Sequence, residues 1–299
     1  MTRYTELQIS SELLDQPAFS GEPKKVFICS TPRSGSYLLC RFMINAGLGV
    51  PHEYFNPIVI RQMAPRLGFE QSIRGLKWYP RGRRDRLLLR TKERAEEVDF
   101  LGKYLPVLIP RRCQGGVFAA KVHFRDFRTV LDNPVGHGLL DGALFIYIYR
   151  ENLLMQAVSE RFGQLTGRWG IDDTVTTWPA ENPNFFDPKA IDRTLTDLSE
   201  QDRGWRVFLA RNGVAPMSVS YERLCEDPFG FVMAVARRLG MDPDTLRRGY
   251  SETVSPIETD PALPSKGEVA RHYMASITRS KDPALNGRAL LAVRRLLGK

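Results

Sequence analysis

Residues 25–47 read KVFICSTPRSGSYLLCRFMINAG, and two changes of pattern inside this stretch decide the fold. Val26-Phe27-Ile28-Cys29 is a short apolar run of strand length. Ser30 to Gly35 is turn chemistry: Ser, Thr, Pro, Arg, Ser and Gly in succession. From Ser36 onward Leu38, Leu39, Phe42 and Met43 recur at helical spacing, and Gly47 supplies a stop. The stretch predicts strand, loop, helix, with the loop at the helix N-terminus. Such a terminus presents unpaired N–H groups and a partial positive charge, which suit a phosphate or sulfate oxygen. Gly35 permits close backbone approach, Ser34 and Ser36 add hydroxyls, and Arg33 adds a permanent fork-shaped cation. A bare Ser-Gly-Ser reads more plainly as a tight turn with Arg33 in solvent. The strand-loop-helix context favours anion binding.

Working outward, the same alternation recurs. Val117–Val122, Leu144–Tyr149 and Met217–Ser220 read as strands. Helices are expected from His123 or Phe124, over about 152–163, 188–211 and 229–239, and in a basic terminal segment, 285–297. Residues 170–188 and 251–267 read as loops. Strands alternating with helices predict an α/β fold: a single domain with a mostly parallel sheet flanked by helices, P-loop-like in architecture. Residues 1–23 read as a loose lead-in and 24–299 as the domain.

The 299 residues carry a net charge of +9, which favours an acidic partner such as a charged nucleotide, nucleic acid or anionic lipid. Cys29, Cys40, Cys113 and Cys225 lie far apart with no C-x-x-C pair, so neither a disulfide framework nor a zinc site is expected. The first 21 residues lack the layout of a signal peptide, and the longest clean apolar run, Ala143–Tyr149, is too short to span a bilayer. A cytoplasmic protein is expected.

The loop is not a nucleoside triphosphatase loop. It lacks the leading Gly and the Gly-Lys-Ser/Thr. The strand 144–149 ends in Arg150, where a P-loop NTPase would carry a magnesium-binding Asp. The pattern describes a metal-free anion cradle with two cationic anchors, Arg33 and Arg150.

At this point the chain resembles the PAPS-dependent sulfotransferases. Ser30-Thr31-Pro32-Arg33-Ser34-Gly35-Ser36 is similar to their 5′-phosphosulfate loop, and Arg150 with Ser159 resembles their 3′-phosphate pair. The nine-residue spacing of that pair resembles the bacterial carbohydrate branch, which includes trehalose 2-sulfotransferase and lipopolysaccharide sulfotransferases. Gln164–Trp169, Gln201–Trp205, Asn212–Pro216 and Tyr221–Pro228 extend the likeness over about residues 25–240.

The resemblance implies the donor 3′-phosphoadenosine 5′-phosphosulfate (PAPS), held by Arg33, Ser34, Gly35, Ser36, Tyr37, Arg150 and Ser159, with Lys266 closing over the 3′-phosphate. It implies in-line transfer to an acceptor hydroxyl, with Glu53 as general base, Arg33 stabilising developing charge, and Pro51, His52 and Asn56 facing the acceptor. Without the resemblance Glu53 reads as a surface carboxylate in a turn. Tyr54 and Phe55 beside it are expected to desolvate it and raise its pKa. His123 reads as a weaker candidate for the base, more in keeping with a structural role. Pro32 stands where a trehalose-type member is expected to carry Gln, so the implied acceptor is another sugar or a glycolipid. A homodimer and no nucleic-acid partner are also implied.

Other features read more plainly. The arginines of 81–90 suit a solvated helix face more than an acidic headgroup, and the terminal helix suits docking on the protein's own core more than on a membrane surface. Trp169 and Trp205 are core candidates before they are adenine platforms. The rival functions are a P-loop-type kinase or NTPase, and a non-enzymatic basic protein binding anionic membrane or nucleic acid.

Overall fold

In the computed structural model, residues 9–70, 91–131, 134–167, 169, 183–246 and 263–279 are described. Four apolar runs become the strands β1 (Lys24–Ser30), β2 (Val117–His123), β3 (Leu144–Tyr149) and β4 (Met217–Ser220). They form one parallel sheet in the order β2-β1-β3-β4. The α/β class with a parallel sheet is therefore as the sequence predicts. Parallel strands buried on both faces read as continuous apolar runs, which is why all four are visible in the sequence. Register pairs Ser30 with His123 and Cys29 with both Val122 and Tyr147.

The chain divides into two compact units, residues 1–151 with 201–254, and residues 152–200 with 255–299. The first contains the sheet. Phe27, Cys29, Phe118, Ala120, Phe145 and Tyr147 point to one face, packed with Tyr54, Phe55 and residues of the helix α3 (Thr91–Arg111). Val26, Ile28, Ala119, Ile146 and Ile148 point to the other, packed with α1 (Ser36–Ala46) and α9 (Pro228–Arg238). Short helices α2 (Pro57–Met63), α4 (Phe124–Leu131), α5 (Pro134–Gly138) and α8 (Tyr221–Glu226) connect these elements. The second unit has its own core from α6 (Leu153–Thr166), the early part of α7 (Pro188–Arg211) and α10 (Lys266–Arg279).

The lead-in is not loose over residues 9–23. Ile9 and Leu14 are buried, and the Gln16 and Phe19 amides donate to the carbonyls of Arg111 and Pro110 at 2.8 and 3.1 Å. Those carbonyls end α3 and need partners from outside the helix. The arginines of 81–90, the terminal segment 285–297 and most of both expected loops (170–182 and 251–262) lie outside the described residues.

Candidate active site

The carboxyl ends of parallel strands are where α/β sheets present ligand-binding loops. Here the loop 31–35 follows β1, Lys121 and His123 end β2, Arg150 follows β3, and Tyr221 and Glu222 follow β4.

The Ser34 amide donates to the Thr31 carbonyl at 3.3 Å, turning the chain sharply. Arg33 sits in the left-handed region, φ 61°, the single non-glycine residue among those described to do so. That conformation costs a side-chain-bearing residue roughly 1–2 kcal/mol, and strain of this kind concentrates at functional sites. Gly35, φ 87°, is the N-cap of α1 and lends no side-chain cap. A Cβ at Gly35 would meet the Tyr221 ring at 2.5 Å, so the backbone is packed directly under an aromatic. The Ser34 hydroxyl is fully buried and has no hydrogen-bond partner among the described residues. A buried orphan hydroxyl beside an uncapped helix N-terminus fits an anion. Ser36 is also buried, and the Tyr37 hydroxyl accepts from Arg41 Nη2 at 3.0 Å one turn along α1.

Glu53 is not a surface turn residue. His52 forms a parallel bridge with Ala120, and the Lys121 amide donates to the His52 carbonyl at 3.0 Å. This extension of β2's edge delivers the Glu53 carboxylate to Lys121 Nζ at 2.5 Å and to His123 Nε2 at 3.3 Å. Asn56 Nδ2 donates to the other carboxylate oxygen at 2.5 Å, while Asn56 Oδ1 caps α2 by accepting from the Ile58 amide at 2.9 Å. Asn56, expected from sequence to face the acceptor, thus also braces the carboxylate.

Burial pushes the Glu53 pKa up, but Lys121 and the His123 ring together outweigh it and hold the carboxyl well below the usual range. This reverses the expectation that its aromatic neighbours would raise it: Tyr54 turns into the core, and Lys121, near the end of a buried strand, is the largest of the influences that lower it. His52, half-buried, is pushed down to about 3 by burial and stays neutral. Pro51 beside it is buried. His123 is tied on its other side to Ser30, Nδ1 lying 3.1 Å from Oγ.

The Arg150 guanidinium lies over the Tyr221 ring at 4.8 Å and within 3.8 Å of the Glu222 carboxylate. Its Nε, the nitrogen that faces that carboxylate, is buried with no hydrogen-bond partner among the described residues, a donor suited to an anion. Glu222 also accepts from the Glu151 amide at 3.1 Å. Tyr221 therefore joins the phosphate-type loop to Arg150, which the sequence alone did not reveal.

In the second unit, Lys266 Nζ donates to the buried Ser159 hydroxyl at 3.4 Å and lies 5.9 Å from the Phe162 ring. Two residues chosen separately from sequence are thus neighbours. Trp205 is core: fully buried, its indole N–H donates to the Ser30 carbonyl at 2.9 Å and anchors the end of β1. Trp169 is about half exposed. Lys121 was missed in the sequence reading, although a lysine inside the apolar run 117–122 is a usable signal: a buried cation needs a buried partner.

No helix among the described residues is long and apolar enough to cross a membrane, and none of those residues form a cluster of three or more metal-binding side chains. Curated relatives include trehalose 2-sulfotransferases from Mycolicibacterium smegmatis, 27% identical over 75% of this chain and 87% of that protein, and from Mycobacterium tuberculosis, 24% identical over 72% and 84%. Among solved structures, the sulfotransferase domain from the curacin biosynthetic pathway aligns over 92% of this chain and 98% of that one, with 16% identity and a TM-score of 0.41. The model of the Stf0 sulphotransferases matches residues 25–255, a span that takes in all of the sheet but Lys24, the phosphate-type loop and Glu53, and the chain belongs to that family.

Proposed function

We propose that this sulfotransferase moves a sulfuryl group from PAPS to a hydroxyl of a carbohydrate or glycolipid, with Glu53 as general base. The observation that carries this reading is a half-buried carboxylate, 2.5 Å from Lys121 Nζ, held at the same carboxyl edge of the sheet as an anion-adapted loop. The names of the trehalose-sulfating relatives support a sugar acceptor. Pro32, in place of the Gln expected in a trehalose-type site, favours a sugar or glycolipid other than trehalose.

The residues present suit the donor. Ser34 Oγ, the α1 N-terminus and Arg33 would take its phosphosulfate end, with Gly35, Ser36 and Tyr37 completing the loop. Arg150 is a proposed phosphate contact of the first unit, and the Ser159–Lys266 pair is a proposed phosphate contact of the second. PAPS supplies the activated sulfuryl group; the acceptor oxygen bonds to sulfur as the 5′-phosphate leaves, and the acceptor proton passes to Glu53. Lys121 keeps Glu53 ionised at neutral pH, so the base is always in its accepting form. The lowered pKa makes it a weak base, which suits a hydroxyl that becomes acidic only as its oxygen bonds to sulfur. Arg33 and the loop N–H groups stabilise the charge that develops on the leaving oxygen. Pro51 and His52 line the approach of the acceptor, His52 as a neutral hydrogen-bonding group. The same reading carries no metal, no nucleic-acid partner, a homodimer, and a cytoplasmic location with peripheral contact at the inner membrane face, supported by family likeness and by the basic composition.

The test pairs calorimetry with a transfer screen. PAPS should bind the wild type with chelator present, and Arg33→Ala should abolish detectable binding; unchanged affinity in Arg33→Ala removes the donor-site assignment. Labelled sulfate should pass from PAPS to a member of a panel of sugars and lipid extracts. A strict magnesium requirement with transfer of phosphate instead would favour the kinase reading.

A further inference from the structure

Arg112 is fully buried, just past the end of α3, and among the described residues the hydrogen-bond partners of its guanidinium lie in two segments, 9–15 and 50–54. Nε donates to the Tyr54 hydroxyl at 2.8 Å. Nη1 donates to Asp15 Oδ1 at 2.7 Å and to the Ser11 carbonyl at 3.3 Å, and Nη2 to the Ile9 carbonyl. Arg66 shares the same carboxylate, at 3.2 and 3.1 Å, and also donates to the Ser10 carbonyl at 2.5 Å. Two guanidinium groups thus converge on one carboxylate. For stability alone an apolar cluster of similar volume serves as well as a buried ion pair. What the ions add is direction.

That direction concerns the segment carrying Glu53. The Tyr54 hydroxyl accepts from Arg112 and donates to the Val50 carbonyl, closing residues 50–54 into an arch. The Tyr54 amide donates to the His52 carbonyl and the Asn56 amide to the Glu53 carbonyl, both at 2.9 Å. Glu53 faces Lys121 and His123, while its neighbour Tyr54 is gripped by Arg112. One peptide unit is therefore fixed from both sides.

We propose that Arg112, acting through Tyr54 and anchored by Asp15, is a positioning residue that sets the Glu53 carboxylate, and that residues 9–15 are recruited for this purpose. The inference rests on the reading of Glu53 as base. Residues 9–15 precede the 25–255 span shared with the family, so the clamp's anchor is built from chain outside that span. A displacement of about 1 Å in a reacting group can lower turnover by about 100-fold, which gives the scale of the effect.

Tyr54→Phe is the sharpest test. It keeps the ring stacked on Phe118, 5.7 Å between centroids, and deletes only the hydroxyl. Turnover is measured with labelled PAPS and a panel sugar that the wild type sulfates, at a temperature where a thermal melt shows the variant folded. Donor affinity is measured by calorimetry. We expect turnover to fall about 10- to 100-fold while acceptor KM and donor Kd stay within about twofold, and Asp15→Asn to move turnover the same way by less. A folded Tyr54→Phe with wild-type turnover overturns the inference, and if that variant does not fold, Asp15→Asn with wild-type turnover does so instead. Glu53→Gln is run alongside. An active Glu53→Gln removes the base reading itself, whereas an inactive Glu53→Gln beside a fully active Tyr54→Phe removes the positioning role alone.

Discussion

Replacing Lys121 by Met leaves the Glu53 carboxylate buried without its main partner, and the consequence can be worked from the geometry. The two side chains are 8% and 18% exposed and 2.5 Å apart. Removing one member of a buried pair costs about 3–5 kcal/mol, because a charge stays behind uncompensated. Glu53 keeps His123 at 3.3 Å and Asn56 at 2.5 Å, which argues for the lower end. At about 3 kcal/mol, and 2–4 °C per kcal/mol, the melting temperature should fall by roughly 6–12 °C.

The pH dependence gives the stronger test. In the wild type the folded-state pKa of Glu53 is depressed. Its contribution to stability is therefore present above the unfolded carboxylate value of about 4.3 and lost only as pH falls through the lower folded value. In Lys121→Met burial loses its main opponent, with His123 and Asn56 left beside the carboxylate, so the folded pKa should rise above the unfolded one. The stabilising preference for the neutral acid is then present at low pH and lost as pH rises through the raised value. The deficit of the variant should be largest near pH 8 and shrink toward pH 5, read by thermal melts across that range. A deficit equal at every pH, or none, refutes the assignment of Lys121 as the group that holds Glu53 ionised.

Three further outcomes follow from the loop and the second phosphate pair. Gly35→Ala should abolish PAPS binding by calorimetry and lower stability by at least 1 kcal/mol or so, since φ is 87° and the new Cβ would meet Tyr221 at 2.5 Å. Arg33→Gly should be more stable than Arg33→Ala by about 1 kcal/mol in chemical denaturation, because glycine accepts φ 61° without strain, while both variants lose donor binding. Lys266→Ala should weaken PAPS binding about tenfold or more and flatten its salt dependence, as expected on losing a charged hydrogen bond of about 1.5–3 kcal/mol; unaltered affinity would remove Lys266 from the donor site.

Much of the frame is legible in the sequence, for a physical reason. Strands of a parallel sheet are buried on both faces, so β1 to β4 appear as bare apolar runs between turn residues. The helix α3 was not legible, because Pro106 and Pro110 lie inside it. Proline in a helix interior costs about 3 kcal/mol, and the apolar spacing of Phe100, Leu101, Tyr104, Leu105 and Leu108 is outweighed by that signal until the packing is seen. The lead-in was misread for a related reason: Asp15 is an ordinary acidic residue until Arg66 and Arg112 meet it. At the site, the placement of the loop between β1 and α1 was readable because the turn and helix signals are local. The electrostatics of Glu53 were not, since Lys121 and His123 reach it from another strand and no local spacing records that register. Asn56 illustrates the same limit, since its roles as cap of α2 and brace of Glu53 depend on geometry that its sequence neighbours do not record.

The central claim is that a sulfuryl group passes from PAPS at the Arg33–Ser36 loop to a hydroxyl whose proton Glu53 takes. The most direct measurement is single-turnover transfer of labelled sulfate from PAPS to a panel sugar by the wild type and Glu53→Gln, with donor binding checked by calorimetry in both. The account expects rapid transfer by the wild type, loss of transfer in Glu53→Gln by a factor of about 100 or more, and equal donor affinity. Transfer by Glu53→Gln at the wild-type rate would contradict it.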